Sequence, residues 1–216
     1  NELIISGKKI KVLSEKDPLK LPWKKLDVDV VVESTGVFTD AEKAKAHLTA
    51  GAKKVIITAP AKNHDITIVP SVNDKDLKKT DKIISVASCT TNALSPVVKV
   101  LEDNFGIEKG FMNTVHAYTS TQNIVDGPNK KFRRGRAAAV NIIPTTSGAT
   151  TATCEAIPKL KNKIDGLALR VPVVTGSIVD FVALLKREAS VQEINNVFKK
   201  ESNSSNYKGI LKYTEE

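Results

Sequence analysis

The sequence lacks the glycine-rich turn that is typical of dinucleotide-binding proteins. That turn has the pattern G-x-G-x-x-G, and no two of the 11 glycines here are separated by a single residue. Either the protein binds no dinucleotide, or the first strand–helix–strand unit is missing. The chain begins at Asn1 with neither an initiator methionine nor a signal-peptide core, and this abrupt start favours the second alternative.

Cysteines and long apolar runs are also scarce. Cys89 and Cys154 are the only two cysteines, too few for a disulfide framework, so we expect a reducing cytoplasm. No apolar run approaches the ~20 residues that cross a bilayer, so we predict no membrane association. No metal site is predicted.

Aromatic residues make up only 5% of the sequence, while the formal net charge is +9. Such a charge can indicate a nucleic-acid partner. However, the lysines are spread along the chain and the aromatic residues form no stacking pattern. We therefore predict a solvated, lysine-rich surface and no nucleic-acid partner. The exception is a basic cluster at residues 130–136, with the sequence KKFRRGR.

The first part of the chain alternates short apolar runs with a helical segment. Asp40 is a suitable cap and Gly51 a suitable stop for a helix over residues 40–50. Strands are predicted at residues 28–34, 54–59, 66–69 and 82–87. Near-continuous apolar strands that alternate with helices indicate a partial Rossmann-type parallel sheet in an α/β protein.

The second part has longer strands with more alternation, joined over long distances. Strands are predicted at residues 111–118, 140–144, 167–174 and 177–185, and helices at residues 90–105, 148–160 and 191–200. This pattern favours an α+β domain with a mixed or antiparallel sheet. We therefore predict two domains, residues 1–88 and residues 89–216.

Cys89 is the first candidate for catalysis. A predicted strand ends at Ser88 and a predicted helix follows from about Thr90, so the thiol lies at the amino end of a helix. Free backbone N–H groups and the helix dipole favour the thiolate there, and the same groups can hold an oxyanion. The alternative is that Cys89 is a small buried apolar residue.

His116 lies near the end of the strand predicted over residues 111–118, so its imidazole can meet the thiol at neighbouring strand ends and activate it. It could instead be a core histidine with satisfied hydrogen bonds. His47 and His64 lie among polar residues, and we assign them no role.

These residues carry a resemblance to a known family. The stretch 87–92, ASCTTN, resembles the active-site motif of glyceraldehyde-3-phosphate dehydrogenases. Similar agreement runs through residues 32–39, 115–119, 136–139, 141–145 and 169–172 and covers essentially the whole chain. The resemblance implies that an amino-terminal mononucleotide-binding unit and a carboxyl-terminal strand and helix are missing.

The resemblance implies a phosphorylating dehydrogenase of glycolysis or gluconeogenesis. In this mechanism the Cys89 thiolate attacks the aldehyde of glyceraldehyde 3-phosphate and forms a thiohemiacetal. His116 accepts the hydroxyl proton while hydride passes to NAD, which leaves a thioester. Inorganic phosphate then cleaves the thioester to give 1,3-bisphosphoglycerate. A related erythrose-4-phosphate dehydrogenase is the alternative.

The same resemblance implies ligands for two anions and for the cofactor. Arg170 and Thr119 correspond to ligands of the substrate phosphate, and Arg134 is preferred over Arg133 for inorganic phosphate. The remaining phosphate-binding residues are Ser88, Thr90, Ser147 and Gly148. The implied contacts to NAD are Lys16, Thr35, Gly36, Phe38 and Thr58, with NADP as the alternative cofactor. The family further implies a homotetramer, with residues 119–136 near a subunit interface.

Overall fold

The computed structural model describes residues 2–216, which form two compact units. The first unit comprises residues 2–66 and Leu77–Val86, and the second comprises Thr67–Asp76 and Ala87–Glu216. A domain boundary between residues 88 and 89 remains a prediction. The contacts add that a short segment earlier in the chain, Thr67–Asp76, belongs to the second unit.

The first unit contains a hairpin and a parallel sheet. Its elements are β1 (Glu2–Ile5), β2 (Lys8–Lys11), β3 (Val30–Glu33), α1 (Ala41–Thr49), β4 (Lys54–Ile57) and β6 (Ile83–Ser85). The short strand β5 (Ile66–Thr67) lies at the boundary, since Ile66 belongs to the first unit and Thr67 to the second. Strands β1 and β2 pair antiparallel, and neither strand was predicted from the sequence. The sheet has the order β3-β4-β6-β5, and β3, β4 and β6 run parallel.

Helix α1 begins and ends where its sequence predicts. The Asp40 carboxylate accepts a hydrogen bond from the backbone N–H of Glu42 at 3.0 Å, which satisfies one free donor of the first turn. Gly51 follows the helix with φ +112, and a Cβ there would lie 2.5 Å from the Cβ of Lys24. Glycine is required at this position because of both the backbone angle and the close approach.

A buried hydrogen-bonded network links α1 to the end of β3. Glu33 is 3% exposed and His47 is 4% exposed, and Glu33 Oε2 lies 3.0 Å from His47 Nε2. The indole N–H of Trp23 donates to His47 Nδ1 at 3.1 Å. Because Trp23 can only donate, His47 Nδ1 accepts, and the imidazole proton lies on Nε2 and donates to the carboxylate.

The second unit contains a mixed sheet covered by helices. Its elements are α2 (Cys89–Phe105), β7 (Ile107–Ala117), β8 (Ile143–Thr146), α3 (Ala149–Ala156), β9 (Ile164–Val171), β10 (Ser177–Leu185) and α4 (Val191–Ser202). The sheet has the order β10-β7-β9-β8. β7 and β9 are parallel, and the other two pairs are antiparallel. A parallel sheet followed by a mixed sheet confirms the predicted fold class.

Helices α2 and α3 cover one face of this sheet, where Leu94, Val98, Met112 and Leu160 form the fully buried core. The opposite face is open and apolar. Val182 is 68% exposed and Ile178 71% exposed, and they alternate along β10 with the half-buried Val179 and Phe181 that pack on the core. Phe111, Leu167 and Leu184 extend the exposed apolar face.

Prolines explain two of the differences between predicted and observed bounds in the second unit, and a third proline lies in an edge strand. The strand predicted over residues 167–174 ends earlier, at Val171, because Pro172 cannot continue the hydrogen-bonded ladder. The helix predicted over residues 148–160 ends at Ala156, and Pro158 begins a separate 3₁₀ turn. The strand predicted over residues 140–144 is instead β8, Ile143–Thr146, which tolerates Pro144 because it lies at the sheet edge.

No helix within residues 2–216 combines the length and the apolar character needed to cross a bilayer. In the same range, no group of three or more His, Cys, Asp and Glu side chains is arranged to hold a metal ion.

The network around Glu33 predicts a pH-dependent contribution to stability. Burial raises the pKa of the Glu33 carboxyl, but hydrogen bonds from Thr35 and His47 outweigh burial and leave that pKa below its ordinary value. A carboxyl with a lowered pKa stabilises the fold above its unfolded pKa of about 4.3, and this stabilisation is lost as the pH falls through the folded pKa.

We therefore expect Glu33→Gln to lower the free energy of unfolding by about 1–3 kcal/mol at pH 7 and to cost less at pH 3.5. Urea unfolding followed by Trp23 fluorescence measures both values. Glu2→Gln is the control, since Glu2 forms an exposed pair with Lys9 and its loss should cost less than about 0.5 kcal/mol. An equal cost for Glu33→Gln at both pH values would contradict the assignment.

Candidate active site

The amino end of α2 presents Cys89 to solvent. Ser88 caps the helix, since its hydroxyl accepts from the backbone N–H of Thr91 at 3.1 Å. Cys89 is the first helical residue and is exposed. The backbone N–H groups of Cys89 and Thr90 donate to no acceptor within residues 2–216. They are therefore available to hold a negatively charged oxygen beside the sulfur.

The turn into α2 is conformationally strained. Ala87 has φ 55 and is buried, directly before the helix cap. A residue with a Cβ pays of order 1 kcal/mol or more in this left-handed region, and such strain concentrates at functional sites.

The imidazole of His116 lies beside the thiol. His116 is near the end of β7, and its Nε2 lies 3.5 Å from Cys89 Sγ. The other nitrogen, Nδ1, lies 2.7 Å from the carbonyl oxygen of Ala117. A carbonyl only accepts hydrogen bonds, so in the neutral imidazole Nδ1 carries the proton and Nε2 presents its lone pair to the sulfur. The neutral imidazole is therefore oriented to take a proton from the thiol.

A first cationic group lies at the end of β9. Arg170 Nη1 donates to the Thr119 hydroxyl at 2.7 Å and to Gln122 Oε1 at 3.2 Å. Burial lowers the pKa of the Arg170 guanidinium, the charge of Arg134 lowers it further, and Cys89 has the opposite effect. Arg170 is thus electrostatically coupled to both the thiol and Arg134.

The second cationic group, Arg134, is held by threonines. Its Nε donates to the Thr145 hydroxyl at 3.0 Å and its Nη1 to the Thr121 hydroxyl at 3.2 Å. Arg133 is exposed, and no hydrogen bond or ion pair of its side chain occurs within residues 2–216. These contacts favour Arg134 over Arg133 as an anion ligand. Neither Arg134 nor Arg170 pairs with a carboxylate in that range.

The other predicted phosphate ligands occupy helix starts. The Ser88 hydroxyl is engaged as the cap of α2, and Thr90 is buried in the first turn of the same helix. Ser147 precedes α3 and its hydroxyl accepts from the N–H of Ala149 at 3.2 Å. Gly148 is the cap residue of α3 and is exposed. Their roles as ligands remain predictions.

Most of the predicted cofactor contacts lie together in the first unit. Thr35, Gly36 and Phe38 follow β3, and Thr58 follows β4. The Thr58 N–H donates to the carbonyl of Glu33 at 3.0 Å, so the two parallel strand ends are adjacent. Lys16 is exposed between β2 and the 3₁₀ turn Pro18–Lys20, and no hydrogen bond or ion pair within residues 2–216 joins its side chain to these strand ends.

Two models of known protein families match this chain. The family model described as "Glyceraldehyde 3-phosphate dehydrogenase, C-terminal domain" matches residues 88–216. The chain belongs to the glyceraldehyde 3-phosphate dehydrogenase family. The family's NAD binding domain model matches residues 1–41, which include β3 and the loop of Thr35 and Gly36.

Curated relatives named glyceraldehyde-3-phosphate dehydrogenase agree with this chain over nearly its whole length. The relative from Streptomyces coelicolor is 55% identical over 215 residues, 99% of this chain and 64% of the relative. Those from Clostridium pasteurianum and Mycobacterium tuberculosis are 56% and 57% identical and cover 94% and 98% of this chain. The chain spans 61–64% of the lengths of these relatives.

Nothing in these relatives or in the described residues favours an erythrose-4-phosphate dehydrogenase. Three residues that support predicted site residues were not predicted from the sequence. Gln122 contacts Arg170, Glu33 accepts from Thr35, and His47 contacts Glu33. His47 contacts Phe38 edge-on, with ring centroids 6.0 Å apart. The Gln122–Arg170 and His47–Glu33 contacts join residues 48 and 14 positions apart, so no local motif marks them.

The environments of the two thiols predict selective alkylation. Burial raises the pKa of the Cys154 thiol, and the Glu155 carboxylate raises it further, while Cys89 is exposed beside His116. We expect brief treatment with iodoacetamide at pH 7 to label Cys89 at least about tenfold faster than Cys154, measured by peptide mapping. In urea-unfolded protein the two rates should converge. Equal labelling of the folded protein would contradict the assignment of Cys89 as the nucleophile.

Proposed function

We propose that the protein containing this chain oxidises and phosphorylates glyceraldehyde 3-phosphate to 1,3-bisphosphoglycerate with NAD, as a cytoplasmic enzyme of glycolysis or gluconeogenesis. The observation that carries the proposal is the constellation in the second unit. An exposed thiol at a helix start lies 3.5 Å from the Nε2 of His116, and two arginines have no carboxylate partner in residues 2–216.

The first step uses the thiol and the imidazole. His116 Nε2 takes the proton of Cys89, and the thiolate adds to the aldehyde carbon, so that the carbonyl π electrons move to oxygen. The N–H groups of Cys89 and Thr90 stabilise that oxygen while the charge is present. His116 returns its proton to give a thiohemiacetal, and it withdraws the hydroxyl proton when the substrate is oxidised to the thioester.

The two arginines give the reaction its anion specificity. Arg170 and Thr119 hold the phosphate of the substrate by charge-assisted and hydroxyl hydrogen bonds. Arg134 holds inorganic phosphate, with Thr90, Ser147 and Gly148 as further ligands. An oxygen of that phosphate attacks the thioester carbon, and the Cys89 thiolate leaves.

The loops after β3 and β4 fit a dinucleotide. They lie at the carboxyl ends of adjacent parallel strands, where open sheets bind ligands. A Cβ at Gly36, which has φ +74, would meet no atom within 4 Å, so the loop leaves open space for a ligand. Thr35, Gly36, Phe38, Thr58 and Lys16 would contact NAD, with NADP as the alternative. NAD, when bound, supplies the acceptor for the hydride of the substrate.

The exposed apolar sheet face supports an oligomer. Ile178, Val182 and Leu184 on β10 are 71%, 68% and 55% exposed, and contiguous apolar faces of this kind mark interaction surfaces. A homotetramer with residues 119–136 near a subunit interface fits this surface. The two free cysteines support a reducing cytoplasmic location.

The role of His116 as a base can be tested by replacing its imidazole with an amide, which cannot accept the proton. In the whole protein, His116→Asn should lower turnover by about 10²–10⁴-fold, because a general base is lost, and should slow alkylation of Cys89. Steady-state NADH formation and iodoacetamide labelling measure the two effects. His64→Asn serves as the matched control with unchanged turnover. Near-normal turnover of His116→Asn would make this residue structural.

The two anion sites should respond to different substitutions. Arg170→Ala should raise the KM for glyceraldehyde 3-phosphate by about 10–100-fold, and Arg134→Ala should raise the KM for inorganic phosphate by a similar factor, because each removes charge-assisted hydrogen bonds. Arg133→Ala is the matched control.

Turnover of the wild type that does not depend on inorganic phosphate would contradict the proposed function. If both arginine variants raise only the KM for NAD, the two anion sites are misplaced. A phosphate effect of Arg133→Ala alone would move the second anion site to Arg133.

A further inference from the structure

Gln122 is a buried amide in the turn that follows β7. It is 5% exposed, and its backbone N–H donates to the carbonyl of Thr119 at 2.9 Å. Its Oε1 accepts from the N–H of Thr119 at 3.3 Å and from Arg170 Nη1 at 3.2 Å. Both groups can only donate, so the amide is oriented with its oxygen toward Arg170.

This orientation leaves polar atoms without partners. The Nε2 of Gln122 and the Nε of Arg170 are buried and have no hydrogen-bond acceptor within residues 2–216. Buried unpaired donors cost stability, and native structures keep few of them. Gln122 and Arg170 each keep one such donor, so their arrangement costs stability. Arrangements that cost stability are typical of functional sites.

The partners of Arg170 are all electrically neutral. Nη1 donates to the Thr119 hydroxyl and to the Gln122 amide, and no carboxylate pairs with Arg170 in residues 2–216. The guanidinium is thus held in place while its charge remains uncompensated. Glutamate in place of glutamine could make the same contact, but its negative charge would cancel that of Arg170.

We propose that Gln122 is a positioning residue that orients Arg170 and Thr119 and determines specificity for a phosphorylated aldehyde, because it holds the guanidinium without neutralising it. The inference rests on the proposed function only in naming the anion as the phosphate of the substrate. Gln122 itself need not touch the substrate, since its free amide nitrogen is buried.

The decisive experiment compares two aldehydes in the whole protein. In Gln122→Glu we expect kcat/KM for glyceraldehyde 3-phosphate to fall at least about tenfold, mainly through KM. For unphosphorylated glyceraldehyde, kcat/KM should stay within about twofold, since no phosphate has to be bound. Gln192→Glu introduces the same charge on the exposed surface of α4 and should leave both values unchanged. Equal losses for the two aldehydes in Gln122→Glu would overturn the proposal.

A second variant separates orientation from charge. Gln122→Met removes the acceptor of Arg170 and adds no charge. We expect a smaller loss that is again confined to the phosphorylated aldehyde, about threefold or more. If Gln122→Glu does not fold, this variant decides the proposal alone. An unchanged preference for the phosphorylated over the unphosphorylated aldehyde in Gln122→Met would contradict the orienting role.

A third measurement does not depend on turnover. The rate of Cys89 alkylation by iodoacetate, divided by that for the neutral iodoacetamide, reports the positive potential at the thiol. This ratio should fall about threefold or more in Gln122→Glu and stay constant in Gln192→Glu. If the wild type oxidises neither aldehyde, the proposed function fails, and this ratio still tests whether Gln122 controls the charge of Arg170. An unchanged ratio would overturn the proposal.

Discussion

The hydrogen bond from the Thr91 N–H to the Ser88 hydroxyl determines where α2 begins, and the chemistry of the second unit depends on that point. It makes Cys89 the first helical residue, with its sulfur exposed and unpaired N–H groups beside it. The body of α2 is anchored by Leu94 and Val98 in the main core. Because the helix cannot slide on that core, the thiol stays within reach of His116 on β7.

The site combines rigid positions with unbalanced charge. His116 and Arg170 are opposite each other in the register of β7 and β9, so two paired strands place the base and a cation side by side. Arg134 is close enough to lower the pKa of Arg170. Like charges repel at such range, and bound anions relieve the repulsion. This repulsion between two like charges is part of the folded unit, and a bound anion would reduce it.

Elements with a strong local pattern could be predicted from the sequence. The alternation along β10 predicted the bounds Ser177–Leu185, and helical spacing between the cap Asp40 and the stop Gly51 predicted α1 to within a residue or two. The hairpin of β1 and β2 was missed because all of its described residues are exposed, so no buried face produces a pattern. The strand predicted over residues 140–144 begins later because residues 138–140 form a turn, in which the N–H of Val140 donates to the carbonyl of Ala137.

The same physical reason separates the parts of the site that could and could not be predicted. Cys89 begins α2 and His116 lies near the end of β7, the next element along the chain, so their positions at element ends could be predicted from local patterns. Gln122 and His47 form hydrogen bonds with partners 48 and 14 residues away. Hydrogen bonds between residues so far apart in sequence produce no local motif, so they could not be predicted. His47 was given no role because its neighbours in sequence are polar, although the fold buries it.

Pro144 in β8 disfavours the addition of a further strand at that edge of the second sheet. A proline has no N–H, so it fits an edge strand with its nitrogen directed outward. An incoming strand would find one donor missing near the middle of a four-residue edge, and short, proline-containing edges resist such additions. β10, at the other edge, has nine residues and no proline. Within residues 2–216, β10 therefore offers a longer and unbroken row of backbone donors and acceptors than β8 does.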